Sequence, residues 1–339
     1  MFQRIVLLIF VLSPFIGYGQ IGGQHSYEFV NIPANPRLTG LGGVNVSLVN
    51  QDVNFGLNNP ALNGDTLSGK VSFSYLDYFA DASIVSTVYQ HDFGKYGSWF
   101  FGITHLGYGE IDSYDDTGAS LGTYSANETL VIIGRAHQVG NFGVGASLKF
   151  INSNLAGYSS SAIAADIGGV FIHPDKQLTV GLAIKNIGLV LSDYTTTSDS
   201  KLPFDVQLGI SFKPEHMPLR FSLTGYNLNK GDITYFNVND VDGPDKTGEF
   251  DNVLRHVNIG AELLLSKNLN VRFGYNHLVR QELKLAETSG GAGISYGLMF
   301  RIKAFEFAYS RGGYHAAGGS NNFSVTANTN MFLKRRNKL

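Results

Sequence analysis

The chain has 339 residues, a formal net charge of −2, 43% hydrophobic and 15% charged residues, 41 glycines and no cysteine. A near-neutral chain has no electrostatic footprint for nucleic acid, and the missing cysteine excludes a disulfide frame and a thiol nucleophile. Charge well below the usual ~25%, 24 Phe and 17 Tyr beside one Trp, and a mean hydropathy near zero exclude a helical membrane protein and point to β structure with one face in lipid.

Residues 1–19 place Arg4 before an apolar run over 5–12 and small residues Gly17 and Gly19 before Gln20. That order predicts a secretory signal cut after Gly19. No later stretch reaches the length of an apolar membrane helix.

Residues 20–66 are rich in Asn, Gly and Pro. Gly42-Gly43 permits a tight turn, and Asn59-Pro60 favours turn initiation. This segment needs surrounding structure to fix it. A wide barrel lumen supplies that, so the segment is expected to be a plug.

From residue 67 to 333 the pattern has period 2. Val71, Phe73 and Tyr75 alternate with Ser72 and Ser74, and Ile294, Tyr296, Leu298 and Phe300 alternate with Ser295, Gly297 and Met299. Leu130 and Ile132 are taken as one apolar face, with Val131, Ile133 and Arg135 opposite. Fourteen strands are expected, near 70–79, 82–91, 97–108, 126–138, 141–153, 161–172, 177–190, 204–213, 218–228, 253–265, 268–279, 291–302, 304–311 and 321–333. An even number suits a closed bacterial barrel, and an open edge is not viable in lipid. The expected fold is all-β, a transmembrane antiparallel β-barrel of about 14 strands.

The connections sort into two alternating sets. The short ones are 92–96, 139–140, 173–176, 213–217, 266–267 and 303. The longer ones are 109–125, 154–160, 191–203, 229–252, 279–290 and 312–320, with a tight exception near Asp81. Short turns face the periplasm in outer-membrane barrels. Both termini are therefore expected in the periplasm, with 334–339 as a basic tail that docks a partner or flanks the membrane surface.

The residues Tyr27-x-Phe29, Pro33, Arg37 through Leu41-Gly42-Gly43, and Asn59-Pro60-Ala61 resemble the PorV/PorQ barrels of Bacteroidetes, most of all the PorQ type. That family is distantly similar to FadL-type channels. Pro36 departs from its usual Ala. The resemblance implies an outer-membrane component of the type IX secretion system. Such a component docks partner proteins of the PorU, PorV and PorZ kind, among membrane lipids and lipopolysaccharide, and does no chemistry itself. The alternative is a FadL-like channel for hydrophobic small molecules. A secreted all-β adhesin is a third reading. Inward positions that are mainly Gly, Ser, Thr, Asn and charge point to a filled lumen.

A search for chemistry returns little. The nine His do not fall at metal-ligand spacing, and neither a nucleophile elbow nor a phosphate loop is present. No enzyme activity, cofactor or metal is expected. Asp112, Asp115 and Asp116 lie in one acidic loop, and Asp240, Asp242, Asp245, Glu249 and Asp251 in another; both read as solvated loops rather than calcium sites. Lys149, Lys185, Arg135, Asp166, Glu262 and Arg301 read as lumen charges that must pair. Arg37 is the segment's one cation, and it is expected to pair with Asp166 or Glu262 and pin the segment inside. The candidate structural residues are therefore Arg37, Gly42, Gly43, Asn59, Pro60, Asp166 and Glu262.

Overall fold

The structure is a computed structural model that describes residues 25–234, 248–283, 290–315 and 318–332. The signal segment, the tail 334–339 and the acidic residues 240–245 lie outside the described residues. Fourteen strands follow in chain order. They are β1 Lys70–Asp77, β2 Ser83–Asp92, β3 Ser98–Tyr114, β4 Ser120–Val139, β5 Phe142–Leu155, β6 Tyr158–Ile172, β7 Leu178–Ser192, β8 Asp205–Phe212, β9 Leu219–Gly225, β10 Val257–Leu264, β11 Leu269–Asn276, β12 Ile294–Ile302, β13 Phe305–His315 and β14 Gly318–Asn328. Each pairs antiparallel with its neighbours, and β1 closes on β14 from Lys70↔Asn328 to Asp77↔Asn321. The barrel end holding Lys70 and Asn328 is called the turn end below, and the opposite one the loop end.

Alternation sets the two faces. Ile103, Leu148 and Ile259 point outward and are 54%, 65% and 47% exposed, while Ser74, Gln90 and Asn322 point inward and are buried. A closed sheet with an apolar outer face satisfies every strand internally and can stand in lipid. Among the described residues, no helix is long and apolar enough to cross a membrane.

Three expectations need correction. On β4 the faces are reversed: Leu130 and Ile132 are buried inside, and Val131 and Ile133 are exposed outside. Both faces of that strand are apolar, so alternation alone carries no sign. What decides is the lumen, where Leu130 joins Phe29, Ile84, Leu106 and Ile151 in one cluster. Arg135 accordingly faces out, with its guanidinium 5.8 Å from the Trp99 ring centre. That cluster also means the inward face is not uniformly small and polar.

Two expected loops are strand instead. Residues 108–114 and 120–125 extend β3 and β4 as a hairpin beyond β2 and β5. The 154–160 connection shrinks to a turn at Ala156-Gly157 (φ 51° and 85°), positive at both central residues as in a type I′ hairpin.

Two short helices also interrupt the series, α2 Glu249–Arg255 and α3 His277–Leu283 (α1, in the N-terminal segment, is Pro36–Gly40). They take residues expected in β10 and β11. Acidic residues in the first turn and Arg255 in the last suit the helix dipole of α2. The Asn276 side chain accepts the Val279 N–H at the start of α3 (3.1 Å).

Candidate functional site

Residues 27–67 lie against the inward face of the wall. The Tyr27 hydroxyl meets the Ser160 hydroxyl. Asn35 caps α1, its side-chain oxygen accepting the Leu38 N–H at 2.9 Å, and Pro36 occupies the first helical position. All five residues of α1 are buried. Pro36 fits the backbone there, because a first-turn proline loses no helical bond.

Gly42 and Gly43 (φ 93° and 95°) turn the chain after α1. The Asn258 side chain of β10 donates to the carbonyls of Leu41 (2.8 Å) and Val44 (2.7 Å) and so holds this turn to the wall. Asn59 does the same on the other side. Its amide donates to the Val46 carbonyl at 2.9 Å and its oxygen accepts the Ala61 N–H at 3.0 Å. It also reaches the carbonyls of Gly169 (3.4 Å) and Leu182 (3.3 Å) on the wall. Pro60 opens the short 3-10 turn that follows.

Inward glycines of the wall make the approach possible. A Cβ on Gly168 would overlap the Asn59 side chain, one on Gly181 the Val46 carbonyl, and one on Gly274 the Gly42 nitrogen. A strand glycine commonly marks such a close approach of another backbone.

Two buried charge centres fix the arrangement. Glu262 receives Arg37 side-on, with Nε at 2.9 Å from Oε1 and Nη2 at 3.0 Å from Oε2. Two wall arginines share the same carboxylate, Arg220 at 2.9 Å and Arg272 at 3.3 Å. Asp166 does not meet Arg37; it pairs with Lys149 at 2.6 Å. Arg301 pairs with Glu306 at 2.6 Å. Arg220 and Arg272, not among the residues expected from the sequence, stand directly across from Glu262 on β9 and β11. Only the strand register would have revealed them.

A cavity of about 830 Å³ opens at the loop end. Its floor is the segment itself, through Glu28, Phe29, Pro33 and Gly42 to Val44. Its wall includes Lys185, Asp205 and Tyr226. The acidic loops hold no cluster of metal-ligand type among the described residues. Asp115 instead caps its own hairpin tip, accepting from Thr117 Oγ1, Thr117 N and Ala119 N. Asp251 binds Arg255 and His277.

No family model matches the chain, and no curated protein does. Among solved structures the chain is similar to the Ralstonia pickettii toluene transporter TbuX (13% identity, TM-score 0.47, covering 88% of this chain and 98% of that one). It is also similar to a Pseudomonas aeruginosa FadL homologue (11%, 0.48, 87% and 98%) and to the deltaS2S3 mutant of the TodX monoaromatic hydrocarbon channel (12%, 0.48, 86% and 97%).

Proposed function

We propose that the protein is a non-enzymatic outer-membrane barrel that receives a small organic solute at the loop end. Residues 25–67 act as the plug that closes the way through. One observation supports this reading: residues of the N-terminal segment, from Glu28 to Val44, form the floor of the 830 Å³ cavity. A solute that enters the cavity therefore rests on the element that must move to let it pass. The cavity lies within the usual ~300–1,000 Å³ of small-molecule sites.

The test is a removable lock. Ser47 of the segment and Ser211 of β8 have hydroxyl oxygens 2.7 Å apart, and the chain has no cysteine of its own. S47C/S211C should form one disulfide that ties plug to wall. Solute uptake by cells should stop when the pair is oxidised and return on reduction. Uptake unchanged by oxidation would sink the reading.

A second reading, a secretion-system platform that docks partner proteins, draws on the β3–β4 hairpin. Residues 108–125 rise past the rim with both strand edges unpaired. On that reading secretion survives the oxidised lock, because nothing needs to traverse the lumen.

A further inference from the structure

One wall residue of the loop-end cavity is built in a way the plug does not require. Across β6 and β7, Ala165 pairs with Ile187 and Ile167 with Ile184, so Asp166 stands opposite two residues, Lys185 and Asn186. This is a β-bulge, with Asn186 at φ 59°, and bulges re-aim side chains near functional sites. Asp166 fastens it: its Oδ1 accepts the Asn186 N–H at 2.8 Å. Lys149 fastens it again, pairing with Asp166 at 2.6 Å and donating to Asn186 Oδ1 at 2.8 Å. The Asn186 amide donates to the Pro203 carbonyl at 2.7 Å.

The result places Lys185 and Asn186 both inside, each buried. Lys185 is 3% exposed and lines the cavity. Among the described residues, no hydrogen bond or ion pair takes its ammonium. Its cross-strand neighbour is Asp205, whose carboxylate accepts from the Asn227 N–H at 2.7 Å and from the Gln207 amide and lies beyond ion-pair distance of the ammonium. A buried ammonium with open donors, aimed into a cavity, needs an acceptor.

The rest of the lining narrows the acceptor's chemistry. Lys230 and Arg255 line the same cavity as Glu28, Asp205 and Glu282, and Arg255 is held by Asp251; with so few free cations the lining suits a monoanion rather than a dianion or phosphate. Asn31, Asn276 and Gln281 also line it, with part of their hydrogen-bonding capacity taken by Glu28, Gly42 and His277; the remainder favours a hydroxyl-bearing solute over an alkyl chain. Phe29, Tyr78, Tyr108 and Tyr226 line it as well and add ring-sized apolar surface to these polar groups. We propose that Lys185 anchors the carboxylate of a sugar acid, a ring-shaped, hydroxyl-rich monoanion, in this cavity. The proposal rests on the cavity being the solute's entrance, and it excludes a fatty acid as the preferred occupant.

Calorimetric titration of the full-length protein in detergent tests it, with galacturonate, galactose and octanoate as probes. Galacturonate should bind at least tenfold more tightly than galactose and octanoate. K185M should abolish the preference over galactose, and K185R should retain most of it. Equal affinity for acid and neutral sugar, tighter binding of octanoate, no binding at all, or a folded K185M that keeps the preference would each overturn the proposal. The wild-type comparison needs no variant to fold. Titrating the oxidised S47C/S211C protein separates the two ideas: binding there with uptake unaffected by the lock upholds the site and removes the plug.

Discussion

Arg37 and Glu262 are 225 positions apart in sequence and meet through two parallel N–H···O bonds of 2.9 and 3.0 Å. One partner belongs to the segment and the other to β10, so the pair joins the lumen's contents to its wall. The two are not equivalent. Glu262 answers three guanidinia, whereas Arg37 is one cation of three.

An asymmetry follows. Arg37→Met leaves Glu262 with Arg220 and Arg272 as partners, so it should loosen the segment at a cost of about 3 kcal/mol. Glu262→Gln leaves two buried arginines, Arg37 and Arg272, and the half-buried Arg220 without their shared carboxylate, and it should cost more, about 5 kcal/mol. Urea unfolding in detergent micelles measures both. Equal losses would contradict the shared-carboxylate account.

Neighbouring glycines on β6 separate the two faces of the wall. A Cβ on Gly168 overlaps the Asn59 side chain, while one on Gly169 meets open space. Gly168→Ala should cost about 1–3 kcal/mol by forcing the segment away from the wall. Gly169→Ala should change stability by less than about 0.5 kcal/mol. Thermal shift of the two purified variants checks this, and a neutral Gly168→Ala would mean the segment does not press on β6.

The outer face makes its own prediction. Leu182→Arg, at an exposed apolar position, should cost about 2–4 kcal/mol if it lies near the bilayer midplane. Val131→Arg should show a cost of the same kind, because β4 turns Val131 rather than Leu130 to lipid. Refolding yield into lipid vesicles reads both. A tolerated Val131→Arg would restore the opposite face assignment.

The hairpin tip carries a pH dependence of defined sign. The Thr117 hydroxyl, then the Ala119 and Thr117 N–H groups, hold the Asp115 carboxyl below its usual value. A depressed folded value means a contribution present above the unfolded aspartate pKa of about 3.9 and lost as pH falls through the folded one. The tip should stay ordered from neutral pH through the ordinary aspartate range and loosen only below it. Anisotropy of a dye at residue 118 follows this. Loosening near pH 5 would contradict the capping role.

Much of this was legible in the sequence, for physical reasons. Period 2 over fourteen segments and the even count pointed to a closed barrel, and the observed strands overlap every expected one. Arg37 was legible as a pairing residue because a lone cation in a polar segment must find a carboxylate. Which carboxylate was not legible: Asp166 and Glu262 read alike until register puts Lys149 beside one and Arg220 and Arg272 beside the other. The face of β4 was hidden because both of its faces are apolar. The β6–β7 bulge left one mark, a shift of the outward apolar positions from Leu182 to Ile187, Leu189 and Leu191, which only the strand register identifies as an insertion. Lys185 read as one more lumen charge, and its role emerged only with the cavity around it.

On the proposed reading, residues 25–67 close the lumen and must move for passage. Single-channel recording of S47C/S211C in a planar bilayer tests it most directly. The oxidised protein should be silent, and reduction should allow rare openings that a second oxidation abolishes. Steady conductance of the oxidised protein, equal to that of the reduced one, would show that the route runs past a fixed segment and would contradict the account.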